Sequence, residues 1–144
     1  MLHVIEHLDN PNGSLQKIHN ILKPNGKIVI GTPNAKTIDR ILFRKYWDGW
    51  DTPRHIYVYN YKNLKALLEK NGFKNISVHY EIYSIFHRSL INIYKYKNKN
   101  PNKITKFLSS RINTLFSYIL PLLNLSGAIQ VIAEKPQNKK SNES

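Results

Sequence analysis

Apolar residues recur along this chain with two spacings, and the spacings alternate. Leu15, Ile18, Ile21 and Leu22 fall on one helical stripe, which predicts a helix over 15–22 capped by Ser14. Asp9-Asn10-Pro11-Asn12-Gly13 before it reads as a turn cluster, and Lys23-Pro24-Asn25-Gly26 after it as a stop. Lys27-Ile28-Val29-Ile30-Gly31-Thr32 is a β-branched run, the pattern of a buried strand. Met1 to Ile5 is a shorter apolar run that reads as the end of a strand. Ile38, Ile41, Leu42 and Tyr46 return to helical spacing, and 47–61 reads as a ring-rich loop. Leu64, Leu67 and Leu68 predict an amphipathic helix over 62–71, closed by Gly72. Ile76, Val78, Tyr80 and Ile82 share one parity, so 73–83 is expected to be a half-buried strand. Helical spacing resumes over 84–96 and 104–123, across a polar linker, and Ala128, Ile129, Val131 and Ile132 mark a last strand over 127–134.

Helices alternating with strands imply an α/β sheet with covered faces. Three strands and a stub make that sheet small. The apolar stretch 104–125, with Lys103, Lys106 and Arg111 at one end, is expected to pack on the sheet or act as a lid; an interfacial helix is the rival reading. Leu115 to Leu125 is about half the ~20 residues a spanning helix needs, and it contains Pro121. The start, Met-Leu-His-Val-Ile-Glu-His, has no basic segment followed by an apolar run, so no signal peptide and a cytoplasmic location are expected.

Composition narrows the classes. With 144 residues, 41% apolar and 22% charged, one globular domain is the expectation. Cysteine is absent, which excludes a disulfide scaffold, a cysteine-ligated zinc or iron–sulfur site and a cysteine nucleophile, and fits a reducing compartment. Lys and Arg total 22 against 9 Asp and Glu, a net charge of +13 that attracts polyanions. The excess is mostly Lys, spread along the chain and accompanied by abundant Asn and Ile. That distribution argues against a dedicated nucleic-acid surface and leaves an anionic membrane surface open as a partner.

Several segments, in order, carry a family resemblance. His3-Val4-Ile5-Glu6-His7-Leu8-Asp9-Asn10-Pro11 resembles the end of the fourth strand of class I S-adenosylmethionine-dependent methyltransferases. Ile21-Leu22-Lys23-Pro24-Asn25-Gly26-Lys27 before Ile28-Val29-Ile30 resembles that family's join into its fifth strand. Pro33-Asn34, Tyr46-Trp47, Pro53-Arg54-His55 and the helix ending Asn71-Gly72-Phe73 are similar to the second half of one subgroup, and Val131 to Lys135 to its last hairpin strand. The resemblance implies the second half of a doubly wound, Rossmann-like sheet: the end of the fourth strand, the fifth strand and an antiparallel terminal pair, with covering helices. It implies a partial methyltransferase domain over 1–136 with a helical insertion at about 84–124, and a disordered tail at 137–144. The implied activity is methyl transfer from S-adenosylmethionine to a small organic acceptor. The glycine-rich turn that holds the donor in this family has no counterpart here, since no G-x-G occurs and the six glycines are isolated. The chain is therefore expected to be a carboxyl-terminal portion, inactive alone, with an open apolar edge beside Ile28-Val29-Ile30. Its rivals are a non-enzymatic remnant, a subunit completing another chain that carries the N-terminal half, and a basic membrane- or nucleic-acid-binding protein.

The same resemblance assigns sites. His3, Glu6 and His7 fall at the carboxyl end of a strand, the edge where open α/β sheets bind ligands. His3 and Glu6 are expected to border the cofactor and His7 to act as general base; turn capping is the rival role. Asn34 ends the fifth strand at the same edge and is expected to line the acceptor pocket or to bond its own backbone. In the aromatic loop, Trp47, Arg54 and His55 are expected to cover a planar or lipid-like acceptor and clamp an anion. The rival is a loop packed over the sheet, with Arg54 paired to Asp48 or Asp51. His3 and His7 have the i, i+4 spacing of a helical metal pair but lie in a segment that reads as strand, so no metal site is expected.

Overall fold

The first helix begins earlier than its apolar stripe. In the computed structural model, which describes residues 1–137, α1 spans Pro11–Ile21. Asn10 is its N-cap, and the Asn10 side chain accepts a hydrogen bond from the Gly13 amide at 2.9 Å. Pro11 takes the first helical position, where a missing N–H costs nothing and the ring presets φ. The segment expected to be a free turn, 9–13, is thus the cap and first turn, and Ser14 lies inside the helix rather than capping it.

The remaining elements follow the expected order: β1 (Lys27–Pro33), α2 (Ile38–Phe43), α3 (Tyr61–Lys70), β2 (Lys74–Tyr80), α4 (Phe86–Tyr96), α5 (Lys103–Leu122) and β3 (Ala128–Glu134). Helix α3 opens with a reciprocal cap between Asn60 and Asn63. It closes near Gly72 at φ +85°, a conformation that glycine adopts without strain.

The three strands form an antiparallel sheet in the order β1-β3-β2. Val131, at the centre of β3, faces Ile30 on one side and Val78 on the other. Leu15 of α1 and Leu64 and Leu68 of α3 close over Ile30, Ile129 and Val131, all buried. At about 25 cal/mol per Å² of apolar surface, such burial is the main stabilising term. A second, smaller cluster gathers Phe43, Trp47 and Ile85.

The edge of β1 expected to lie open is engaged beside Val29 and Gly31. Leu2 forms a parallel bridge to Gly31, with the His3 amide donating to the Gly31 carbonyl at 2.9 Å and the Gly31 amide to the Met1 carbonyl at 2.9 Å. The Met1 ammonium adds a bond to the Val29 carbonyl at 2.7 Å.

Helix α5 departs from expectation. It packs chiefly on α4, not on the sheet. Its face through Ser109 and Leu120 is buried, while Ile104, Leu108, Leu115, Ile119 and Leu122 are exposed. No helix among the described residues is long and apolar enough to cross a membrane. The expected tail, apart from Gln137, lies outside the described residues.

Candidate functional site

Past the Met1–His3 stub the chain makes a 3-10 turn, Ile5–His7, anchored by fully buried Ile5. The Glu6 carbonyl accepts from the Ile56 amide at 2.8 Å and the Tyr57 amide at 3.1 Å, which ties the aromatic loop to this turn. The Glu6 side chain is only 1% exposed. Its Oε2 accepts from Thr32 Oγ1 at 3.2 Å, while the buried Oε1 has no hydrogen-bond partner; His3 Nδ1 stands 3.4 Å from it. A buried carboxylate oxygen without a donor is costly, so this atom is positioned for a charge or donor outside its present bonds.

Two imidazoles lie beside it. His7 Nδ1 is 2.7 Å from the Arg54 carbonyl and His55 Nδ1 is 2.9 Å from the Gly49 carbonyl. A carbonyl oxygen only accepts, so Nδ1 carries the proton in both rings. In the neutral rings each Nε2 then holds the lone pair. The ring centroids are 4.8 Å apart, tilted by 59°. Gly49 permits the carbonyl that holds His55: a Cβ there would fall 2.3 Å from a ring carbon of Trp47.

Charges frame the pair. Arg54 bonds Asp51 at 2.7 Å and holds that carboxyl below its usual range, the hydrogen bond being the largest cause. Asp51 Oδ2 is 3.7 Å from His55 Nε2. Arg88, at the start of α4, bonds Asp48 at 2.8 Å. Between turn, loop and α4 lies a cavity of about 260 Å³ lined by His3, His7, Asp51, Arg54, His55 and Arg88, among others. It is smaller than the roughly 300–1,000 Å³ of drug-sized ligand pockets, which suits a small polar molecule. A larger recess of about 680 Å³, by Arg40, Ile41, Arg44 and Trp50, has no carboxylate or imidazole in its wall.

The fold therefore gathers His3, Glu6, His7, Arg54 and His55, and it leaves two other candidates out. Asn34 is 1% exposed, and its amide bonds the Ser126 and Lys36 carbonyls at 2.8 and 3.1 Å while accepting from the Lys36 amide at 2.9 Å. Those bonds leave it no group for an acceptor. Trp47 is likewise 1% exposed and packs with Phe43 and Ile85 as core. Asp51 and Arg88 were missed as site residues. The Asp51–Arg54 spacing carried a signal, since the pairing itself was one of the expected alternatives; nothing in the sequence pointed to Arg88.

An α/β domain with an acid–imidazole cluster where a parallel strand stub ends is an arrangement for handling a small ligand. Residues 1–78 match the protein family described as a methyltransferase domain, and the chain belongs to the class I S-adenosylmethionine-dependent methyltransferase family. Its fold is similar to that of an S-adenosylmethionine-dependent methyltransferase from Archaeoglobus fulgidus, at 21% identity and a TM-score of 0.56, covering 94% of this chain and 57% of that one. One from Thermotoga maritima gives 15% and 0.58, covering 94% and 54%. Phosphoethanolamine N-methyltransferase 2 from Haemonchus contortus, solved with S-adenosyl-L-methionine, gives 20% and 0.52, covering 94% and 32%. The chain thus spans little more than half the length of the first two and about a third of the third. No curated protein matches the chain.

The implied cofactor, S-adenosylmethionine, does not fit this recess as a whole. The cavity falls below the size range of such ligands, and no glycine-rich turn lines it.

Proposed function

We propose that this chain forms the acceptor-side wall of a methyltransferase that modifies a small organic acceptor. The stub at Met1–His3 stands as the end of a fourth strand, β1 as the fifth, and β2 with β3 as the antiparallel terminal pair. The parallel Leu2–Gly31 bridge and the central antiparallel β3 support this placement. The helical insertion is α4 with α5. The donor grip is supplied by a segment other than these residues, in the same polypeptide or a separate chain, and the chain alone is inactive.

The observation that carries this reading is the convergence of His3, His7, Arg54 and His55 on one small cavity, with the buried Glu6 carboxylate beside the two imidazoles. His7 has its Nδ1–H held by a carbonyl and its Nε2 lone pair available, the arrangement of a general base for an acceptor hydroxyl or amine. Arg54 orients an anionic group of the acceptor, and His3 and Glu6 border the donor. The test pairs two titrations. Calorimetry with S-adenosylmethionine should show no micromolar binding to this chain; such binding would place the donor grip within these residues. A panel of small phenols, amines and carboxylates, followed by amide NMR, should perturb His7, Arg54 and His55. A panel that shifts none of them defeats the acceptor-wall reading.

A specific observation favours a second property. Between Glu81 and Glu134 the sequence holds no acidic residue, only Lys and Arg among its charged side chains, and α5 turns an apolar stripe outward. We infer that the α4–α5 hairpin rests on an anionic membrane surface, where apolar side chains enter the interface and cations meet lipid headgroups.

A further inference from the structure

We propose that Glu6, His7 and His55 bind a borderline divalent metal ion of the Zn2+ type. One donor atom from each of the three lies within 4.8 Å of the others. Three independent features point to a cation. The Glu6 carboxylate is buried, and its Oε1 has no donor. Both imidazoles give their Nδ1 protons to backbone carbonyls, of Arg54 and Gly49. That outer bond is the one that fixes metal-binding histidines and leaves Nε2 as the ligand. The cavity also opens the cluster to solvent, since His7 is exposed and His55 half-buried.

The donor set selects the ion. Two imidazole nitrogens and one carboxylate suit zinc, whose bonds to nitrogen and oxygen run about 2.0–2.2 Å, and do not suit magnesium or calcium, which take oxygen ligands. Donors on a four-coordinate ion at those lengths sit about 3.3–3.5 Å apart, so no pair among the three need close in by more than about 1.5 Å on binding. The fourth position falls to water or to Asp51, whose Oδ2 is 3.7 Å from His55 Nε2. The neighbouring cations leave room for the ion: Arg54 is engaged by Asp51 and Arg88 by Asp48. His3, 3.4 Å from Glu6 Oε1, faces the site as a neutral ring or a further ligand. A metal on His7 Nε2 occupies the lone pair assigned above to proton acceptance, so the two roles exclude one another in time. The metal site needs nothing from the methyltransferase reading.

Titration of Zn2+ into the metal-free chain, with a competing chromophoric chelator, tests the proposal. We expect one ion per chain, bound in the micromolar range or tighter at pH 7.5. His7→Ala and His55→Ala should each weaken binding at least 10-fold, and His79→Ala, on the far exposed edge of β2, should not change it. On the unmodified chain, Zn2+ should shift the Nε2 resonances of His7 and His55 while both Nδ1–H signals persist, a readout that does not depend on any variant folding. Absence of stoichiometric binding, or binding undiminished in the His7→Ala/His55→Ala double variant, overturns the proposal. The acceptor titration above is run without metal, so either result can fail alone.

Discussion

His7 and His55 meet ring to ring, 4.8 Å between centroids, although one ends the 3-10 turn after the strand stub and the other sits in the aromatic loop. Their encounter depends on backbone, not on side-chain attraction. The Glu6 carbonyl clamps the amides of Ile56 and Tyr57, and each imidazole is then held by a carbonyl of that same loop. Both rings are therefore Nδ1–H tautomers. Long-range 15N–1H correlation spectra at a pH where the rings are neutral should show the Nδ1–H pattern for both, and the exposed His79 supplies an unconstrained reference. An Nε2–H pattern at His7 would remove the lone pair that both its base and its ligand role need, and one at His55 the lone pair that its ligand role needs.

The N-terminal helix gives a stability comparison. Asn10 caps α1 through a 2.9 Å bond from the Gly13 amide, and Ser14 sits within the first turns, one residue beyond that donor. Asn10→Ala should cost about 1 kcal/mol, the usual worth of such a cap, and Ser14→Ala less than about 0.5 kcal/mol. Denaturant midpoints of the two variants, measured at constant m, decide between the caps. A larger loss for Ser14→Ala than for Asn10→Ala would show that the helix starts where the apolar stripe does.

That contrast shows what the sequence made legible. Strands β1 and β3 and helix α3 were readable because their periodicity and their punctuation agree, as in Leu64, Leu68 and Gly72. Helix α1 was misread at its start because Asn10-Pro11-Asn12-Gly13 has turn composition, and proline with a capping Asn serves a helix start equally well. In the site, His3, Glu6 and His7 were visible as neighbours along the chain. Their meeting with His55 was not, since it depends on two amides folding back onto the Glu6 carbonyl. For Asn34 and Trp47 the sequence left two roles open, ligand contact or local packing, and only tertiary structure shows both side chains buried, Asn34 bonded to the Lys36 backbone and Trp47 packed with Phe43 and Ile85.

Among the described residues, Asp39 is the buried acid outside the site. It is fully buried at the start of α2, with Oδ2 accepting from Ile85 N at 3.2 Å and Ser84 Oγ at 3.3 Å and Oδ1 unpartnered. Desolvation outweighs those bonds and pushes its carboxyl above the ordinary value of 3.8. The folded state therefore holds this proton more tightly than the unfolded chain does. Its contribution to stability is complete below the unfolded value and is lost as pH rises through the raised folded value. Asp39→Asn cannot ionise. As pH rises from about 3 towards 7 the wild type should therefore lose stability relative to this variant. Urea unfolding of both proteins across that range measures the difference, and parallel pH profiles would show that Asp39 is not desolvated.

Helix α5 presents the reverse of the usual arrangement, with its small and polar Ser109 buried against α4 and Leu108, Leu115 and Leu122 outward. A helix that turns leucines to water on a hairpin without acidic groups is suited to a surface that is both apolar and anionic. Vesicle sedimentation should therefore recover the chain with phosphatidylserine-containing vesicles and much less with neutral ones. Adding salt to about 0.5 M should reduce recovery, because the charge component is screened while the apolar one persists. Replacing Leu108, Leu115 and Leu122 together with Ala should release the chain from anionic vesicles while it still unfolds cooperatively, since Leu122 is largely exposed and Leu108 and Leu115 are about half exposed in the folded state. Lys99→Glu with Lys103→Glu should weaken recovery through charge alone. Equal recovery with neutral and anionic vesicles, or retention on DNA with no recovery on either kind of vesicle, would assign the basic hairpin to a different partner and end the membrane reading.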